Sequence, residues 1–232
     1  MRLHNPSEIP LGAVYRTALL AGATGLTGST LLTALLADSR YSAVHMLVRK
    51  HALTSHAKLI EHIVDFAALP TLPKVDDVFC CLGTTIKIAG SKAAFRTVDF
   101  DYVINLARAA KKSGAQRFMV MSSLGANAKS GVFYSRVKGE MEEALRELGF
   151  AELHIFQPSF LVGNRAKSRP GERLGIAAFQ IISPLLFGPA RKYRAIEATD
   201  VARAMISAAW LQKKKEGVYV YLSDEIQKMA DA

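Results

Sequence analysis

The segment YSRVK carries a phenol and an ammonium four positions apart, Tyr134 and Lys138. On a helix that spacing sends both side chains from one face, a turn apart. A lysine beside a tyrosine favours the phenolate, so the phenol can give or take a proton near neutral pH, which is the work of a general acid/base. Ser122 and Ser123 end the apolar run MVMSS just upstream and could hydrogen-bond the substrate oxygen that the tyrosine protonates; either can equally be a strand-end or turn hydroxyl. A second group lies in LLAGATGLTGSTLL, where Gly22, Gly25 and Gly28 are spaced as in a nucleotide-binding turn. There Gly22 turns the chain, Gly25 lets the backbone approach a pyrophosphate, and Gly28 lets helix pack closely on strand. The helix that follows offers unpaired N–H groups and the positive end of its dipole to phosphates.

Such groups work only if a scaffold brings them to one edge. Thr17–Ala23 reads as a buried strand, Leu26–Ala37 as a helix and Ala43–Arg49 as a second strand, which is one βαβ unit. Strands at Ile60–Phe66 and Asp77–Leu82 follow, then a helical pattern from Ala93 to Lys112 closed by Gly114 as C-cap. The strand RFMVMSS, a helix over Tyr134–Leu148 and the strand LHIF ending at Pro158 continue the alternation. Continuously apolar strands alternating with helices predict a Rossmann-type, doubly wound parallel sheet covered on both faces. Beyond Pro158 the pattern is irregular, with a helix near Thr199–Leu211 and a short strand GVYVYL. Residues 1–232 are therefore read as one dinucleotide-binding domain in which 159–232 complete the substrate side.

The cofactor is read from the end of the second strand, VHMLVRK, which places Arg49 and Lys50 where an acid would accept a free ribose hydroxyl. An arginine there suits a 2′-phosphate, so NADP(H) is expected. Asp65, ending the third strand, could accept from the adenine amino group or simply cap the turn that follows.

With these residues in view, the sequence resembles the short-chain dehydrogenase/reductase superfamily of the extended or atypical type. GATGLTG, the strand-end serine and YSRVK carry that likeness. The segments CCLGTT, VDFDYVINLARAAKKSGAQRF, SSLGAN and GVFYSRVKGEMEEAL are most similar to the Tat-interactive, CC3-type oxidoreductases, over roughly Leu19–Arg173. The resemblance implies that Thr24 and Leu26 share the phosphate loop with the glycines, and that Leu82 and Gly83 pass over the adenosine side. It implies Tyr134 as acid/base, Lys138 on the nicotinamide ribose, Ser123 orienting the carbonyl, and Pro158 after the strand that meets the nicotinamide. Asn105 would complete a proton relay. Gln157 stands where such relatives often carry arginine, and the short spacing from Ser123 to Tyr134 leaves open which serine is productive.

The function expected is an NADPH-dependent oxidoreductase acting on a carbonyl or quinone; the alternative is a non-catalytic NADP(H)-binding regulator or assembly factor. A sugar epimerase is disfavoured by the short stretch after Pro158. The formal charge of +10 suits anionic ligands, but the basic residues are dispersed and no zinc-finger or RNP-type signature accompanies them, so neither nucleic acid nor a metal is expected. Gly175–Ala190 is apolar yet shorter than the roughly 20 residues that span a bilayer, and it is read as a roof over the pocket, with no stable membrane insertion. The partner expected is a small-molecule substrate, and a homo-oligomer is left open. Two adjacent cysteines, Cys80 and Cys81, read as buried small hydrophobes, and with no export segment at the N-terminus they point to a cytoplasmic protein.

Overall fold

The structure, a computed structural model, describes residues 15–52, 54–163, 188–211 and 215–231. Nine strands are found among them: β1 (Arg16–Ala21), β2 (Tyr41–Val48), β3 (Leu59–Ile63), β4 (Asp77–Cys80), β5 (Arg117–Met121), β6 (Glu152–Gln157), β7 (Leu161–Val162), β8 (Ile196–Glu197) and β9 (Gly217–Leu222). The helices are α1 (Leu26–Ala37), α2 (Ile86–Ala89), α3 (Lys92–Arg96), α4 (Tyr102–Lys112), α5 (Phe133–Glu147), α6 (Ala198–Trp210) and α7 (Ser223–Ala230). Seven strands form one parallel sheet in the order β3-β2-β1-β4-β5-β6-β9, while β7 and β8 pair separately.

This is the expected doubly wound architecture. Leu20, Met46, Phe79, Met119 and Phe156 pack from one face onto Leu31 and Leu35 of α1 and onto Val201 and Met205 of α6. From the other face Leu19, Val78, Phe118, Val120 and Ile155 meet Val103 and Leu106 of α4 and Met141 and Leu145 of α5. The central strands β1, β4, β5 and β6 are buried on both faces and show no polar alternation, whereas β3 and β9 at the two edges keep exposed residues such as Ile60, Ile63, Val218 and Val220.

The register lines up the carboxyl ends. Leu47, Ala21, Cys80, Val120, Ile155 and Val220 stand abreast across the sheet. The residues that follow, Arg49, Gly22, Leu82, Ser122 and Gln157, therefore emerge along one edge, where open parallel sheets bind ligands. The opposite edge is closed by buried Asp77, which accepts from Tyr41 at 2.9 Å and Arg117 at 3.1 Å.

Two departures from the sequence reading bear on the site. The single helix expected from Ala93 to Lys112 is α3, a five-residue π-helical turn over Thr97–Asp101, and α4. α2, whose four residues are too few for a periodic signal, is capped by the Thr85 hydroxyl and ends at Gly90 with φ +84°. Gly114 follows α4 at φ +90° and its N–H reaches the Lys111 carbonyl, as a terminating glycine should. Most of Gly175–Ala190, including the roof expected there, lies outside the described residues.

Candidate active site and cofactor cradle

The glycine turn is built as its spacing requires. Gly22 has φ +87°, and a Cβ there would lie 2.4 Å from the Cys81 backbone. A Cβ at Gly28 would lie 2.0 Å from the Gly22 carbonyl oxygen, so both positions exclude any side chain. Gly25 differs: its nearest neighbour would be the Gly22 oxygen at 3.3 Å, and it is exposed at the N-cap of α1 with no capping side chain. Its own N–H closes the turn on Gly22 at 3.0 Å. Helix geometry leaves the amides of Leu26, Thr27 and Gly28 without intrahelical partners, and no acidic residue occupies the first turn. The Thr27 hydroxyl, buried on that turn, has no hydrogen-bond partner among the described residues. An anionic pyrophosphate fits this set of donors and the space over Gly25. Thr24 is exposed on the same turn and Arg49 is exposed just past β2.

Asp65 is engaged locally: its carboxylate accepts from the Ala67 amide at 2.9 Å and caps the turn after β3. Asn105 donates to the Phe66 carbonyl at 3.1 Å and so steadies that same turn. The lysine's partner is a different residue, Asp99.

Lys138 and Asp99 form a buried ion pair, Nζ to Oδ1 at 2.7 Å, with side-chain exposures of 4% and 1%. The second oxygen of Asp99 accepts from the Thr84 amide at 2.8 Å. Gly83 lies against both, since a Cβ there would be 3.4 Å from Asp99 Oδ1 and 3.9 Å from Lys138 Nζ. Burial alone would lower the Lys138 pKa; the charge of Asp99, then Tyr134, and the Asp99 hydrogen bond outweigh it and hold the ammonium above its ordinary range. Tyr134 is half-buried against Phe95, ring centroids 5.4 Å apart, and Phe133 also packs on that ring at 5.9 Å. No sequence signal marked Asp99, because the π turn that swings it inward is invisible in a helical pattern. Such turns gather at functional sites.

The two strand-end serines separate by their partners. Ser122 is buried and donates to Glu142 Oε1, while Gln157 donates to both oxygens of the same carboxylate at 2.9 and 3.0 Å. Burial pushes the Glu142 pKa up, against these hydrogen bonds and the charges of Arg146 and Lys138. Among the described residues the Ser123 hydroxyl makes only a 3.4 Å contact to the Leu124 carbonyl. Pro158 is buried, and its carbonyl accepts from the Leu124 amide at 2.9 Å, locking the ends of β5 and β6 together. The short loop between Ser123 and Tyr134 folds back onto α5 at Gly139, where a Cβ would lie 2.1 Å from the Ala128 nitrogen.

A glycine turn at the end of the first strand, with a tyrosine–lysine pair and a serine along the same sheet edge, defines a dinucleotide-binding protein of the short-chain dehydrogenase/reductase type. The chain belongs to the NAD(P)H-binding family, whose profile matches residues 22–209. Among curated relatives it is 36% identical to Protein HTATIP2 of Rattus norvegicus over 199 residues, covering 83% of this chain and 80% of that one, in keeping with the CC3-type resemblance. It is 33% identical to the mitochondrial Protein FMP52 of Coccidioides immitis, covering 83% and 85%. Solved structures share the fold at low identity. MoeE5 in complex with UDP-glucose and NAD superposes with a TM-score of 0.66 at 17% identity, covering 92% of this chain and 80% of that one. The human epimerase family protein SDR39U1 with NADPH does so with 0.62 at 18%, covering 89% and 74%.

The expectation of a cytoplasmic protein is corrected by these relatives. The FMP52 proteins of three fungi, 33 to 34% identical, are named as mitochondrial. Neither the lack of an apolar export segment nor the reduced cysteines bear on mitochondrial targeting, which is carried by basic amphipathic sequence. Among the described residues no helix is long and apolar enough to cross a membrane.

Proposed function

We propose that the protein is an NADP(H)-dependent oxidoreductase that reduces a carbonyl or quinone. The observation that supports this best is the buried Asp99–Lys138 pair beside Tyr134, on the sheet edge that carries the glycine cradle. Bound in that cradle, the reduced nicotinamide would supply the hydride. Tyr134 Oη would donate a proton to the substrate oxygen, the oxygen that becomes the hydroxyl of the reduced product. Lys138 would hold the nicotinamide ribose beside Tyr134. Ser123, whose neighbour Ser122 is committed to Glu142, donates a hydrogen bond to the reacting oxygen. Arg49 would hold the 2′-phosphate, and Leu82, Gly83 and Pro158 would line the cofactor channel. Residues 159–232 complete the substrate side within a single domain.

The test is Tyr134→Phe. It removes the proton donor and leaves the cofactor cradle intact, so NADPH affinity should hold while turnover on a panel of quinones, aldehydes and ketones falls by about 10²–10⁴-fold. Tight NADPH binding with no turnover by the wild type on any member of that panel would favour the regulator reading.

A further inference from the structure

Two stretches beside the candidate site, residues 82–96 and 124–138, contain Lys87, Lys92, Arg96, Lys129, Arg136 and Lys138 and no aspartate or glutamate. Contacts join them: Lys92 Nζ stands 5.4 Å from the centre of the Phe133 ring, Arg136 Cζ stands 5.8 Å from it, and Phe95 packs on both Phe133 and Tyr134. Arg96 is paired with Glu140 and Lys138 with Asp99. Lys87, Lys92 and Lys129 are exposed. Among these cations three large aliphatic side chains face outward: Ile86 at 37% exposure, Ile88 at 53% and Val132 at 62%. Lys87 stands between the two isoleucines.

We propose that this patch docks the protein reversibly on a bilayer carrying anionic lipid, with the mouth of the Tyr134 site toward the membrane. Exposed aliphatic side chains interleaved with lysine suit a lipid headgroup boundary, where the apolar groups enter the acyl region and the ammonium groups meet lipid phosphates. A nucleic acid fits less well, because exposed aromatic stacking platforms are what single strands use and the exposed apolar groups here are aliphatic. A second copy on a two-fold axis would set this basic patch against itself. The surface is independent of turnover and of the identity of the substrate.

The experiment is co-sedimentation of the full chain with phosphatidylcholine vesicles, with and without phosphatidylglycerol. Binding is expected only with phosphatidylglycerol and should be lost at about 1 M salt, where charges are screened beyond about 3 Å. Lys87→Ala and Lys129→Ala should each weaken it about fivefold, since a basic residue at an anionic surface is worth about that factor. Ile88→Asp and Val132→Asp should weaken it tenfold or more while NADPH affinity, measured in parallel as a check on folding, is unchanged. Absence of wild-type binding to phosphatidylglycerol vesicles at low salt would overturn the proposal. So would aspartate variants that bind vesicles as well as wild type, or a monomer–dimer shift in Ile88→Asp by light scattering without vesicle binding, which would assign the patch to a second copy.

Discussion

Asp99→Asn should turn the most buried ion pair of the site into a liability. Lys138 is 3% exposed, and its ammonium is held 2.7 Å from Asp99 Oδ1. Removing one partner of such a pair costs about 3–5 kcal/mol, because the remaining charge stays buried without compensation. At about 2–4 °C per kcal/mol for a chain of this size, the melting temperature should fall by roughly 6–20 °C. The pH dependence separates this cause from a packing defect. In the wild type the Lys138 pKa lies above its ordinary 10.5, so the pair's contribution is fully present below 10.5 and is lost as pH rises through the raised value. In the variant the loss of the Asp99 charge leaves burial dominant, and the folded pKa falls below that of the unfolded chain. The unfolded chain then binds more protons between the two values, and stability rises with pH there. Urea unfolding of both proteins from about pH 7 to about pH 10 should show a deficit that shrinks toward the alkaline end. A deficit under about 1 kcal/mol at neutral pH, or one independent of pH, would refute the assignment of Asp99 as the charge partner of Lys138.

Three further outcomes are expected. Gly25→Val should abolish dinucleotide binding in a folded protein, whereas Gly28→Ala should impair folding itself, because its Cβ would lie 2.0 Å from the Gly22 oxygen; calorimetric titration and circular dichroism distinguish the two. Arg49→Ala should erase a preference for NADPH over NADH of roughly tenfold to a hundredfold, the worth of a charge-assisted hydrogen bond of about 1.5–3 kcal/mol, and equal affinities in the wild type would contradict the reading. Ser123→Ala should lower kcat with little change in stability, while Ser122→Ala should mainly lower stability, by about 1–3 kcal/mol, through the donor lost to buried Glu142; the reverse pattern would exchange their roles.

The parts of this molecule written in local pattern were readable from sequence. α1 runs from Leu26 to Ala37 as expected, since a glycine turn and an apolar periodicity bracket it. The alignment of strand ends followed from the parallel order. Asp99 was hidden because its role depends on a π turn, and VDFD, with apolar and acidic residues alternating, reads as an ordinary stretch of a surface helix. Glu142 and Gly139 left fainter traces. Glu142 is an acid on the stripe that buries Met141 and Leu145, and Gly139 is a glycine inside a helix, where it costs about 1 kcal/mol relative to alanine without a packing reason. The reason is the Asn127–Ala128 backbone lying on it, a contact between residues that no periodicity connects. β7 and β8, two residues each, are too short for a periodic signal and are fixed by their mutual pairing and by the burial of Val162 and Ile196.

The position of β9 has a consequence for synthesis on the ribosome. Of the described strands, Gly217–Leu222 is made after all the others, yet it pairs along the whole of β6, about 65 residues earlier, from Glu152↔Gly217 to Gln157↔Leu222. Until it emerges from the exit tunnel, the nascent chain carries β6 as an open flank, with Leu153, Ile155 and Phe156 beside unsatisfied backbone groups. That flank is a template for pairing with a neighbouring chain on the same polysome. A stop codon shortly before Gly217 would therefore leave the glycine cradle and the Tyr134–Lys138–Asp99 group encoded in full, and its cost would appear as insoluble product before any loss of chemistry could be measured.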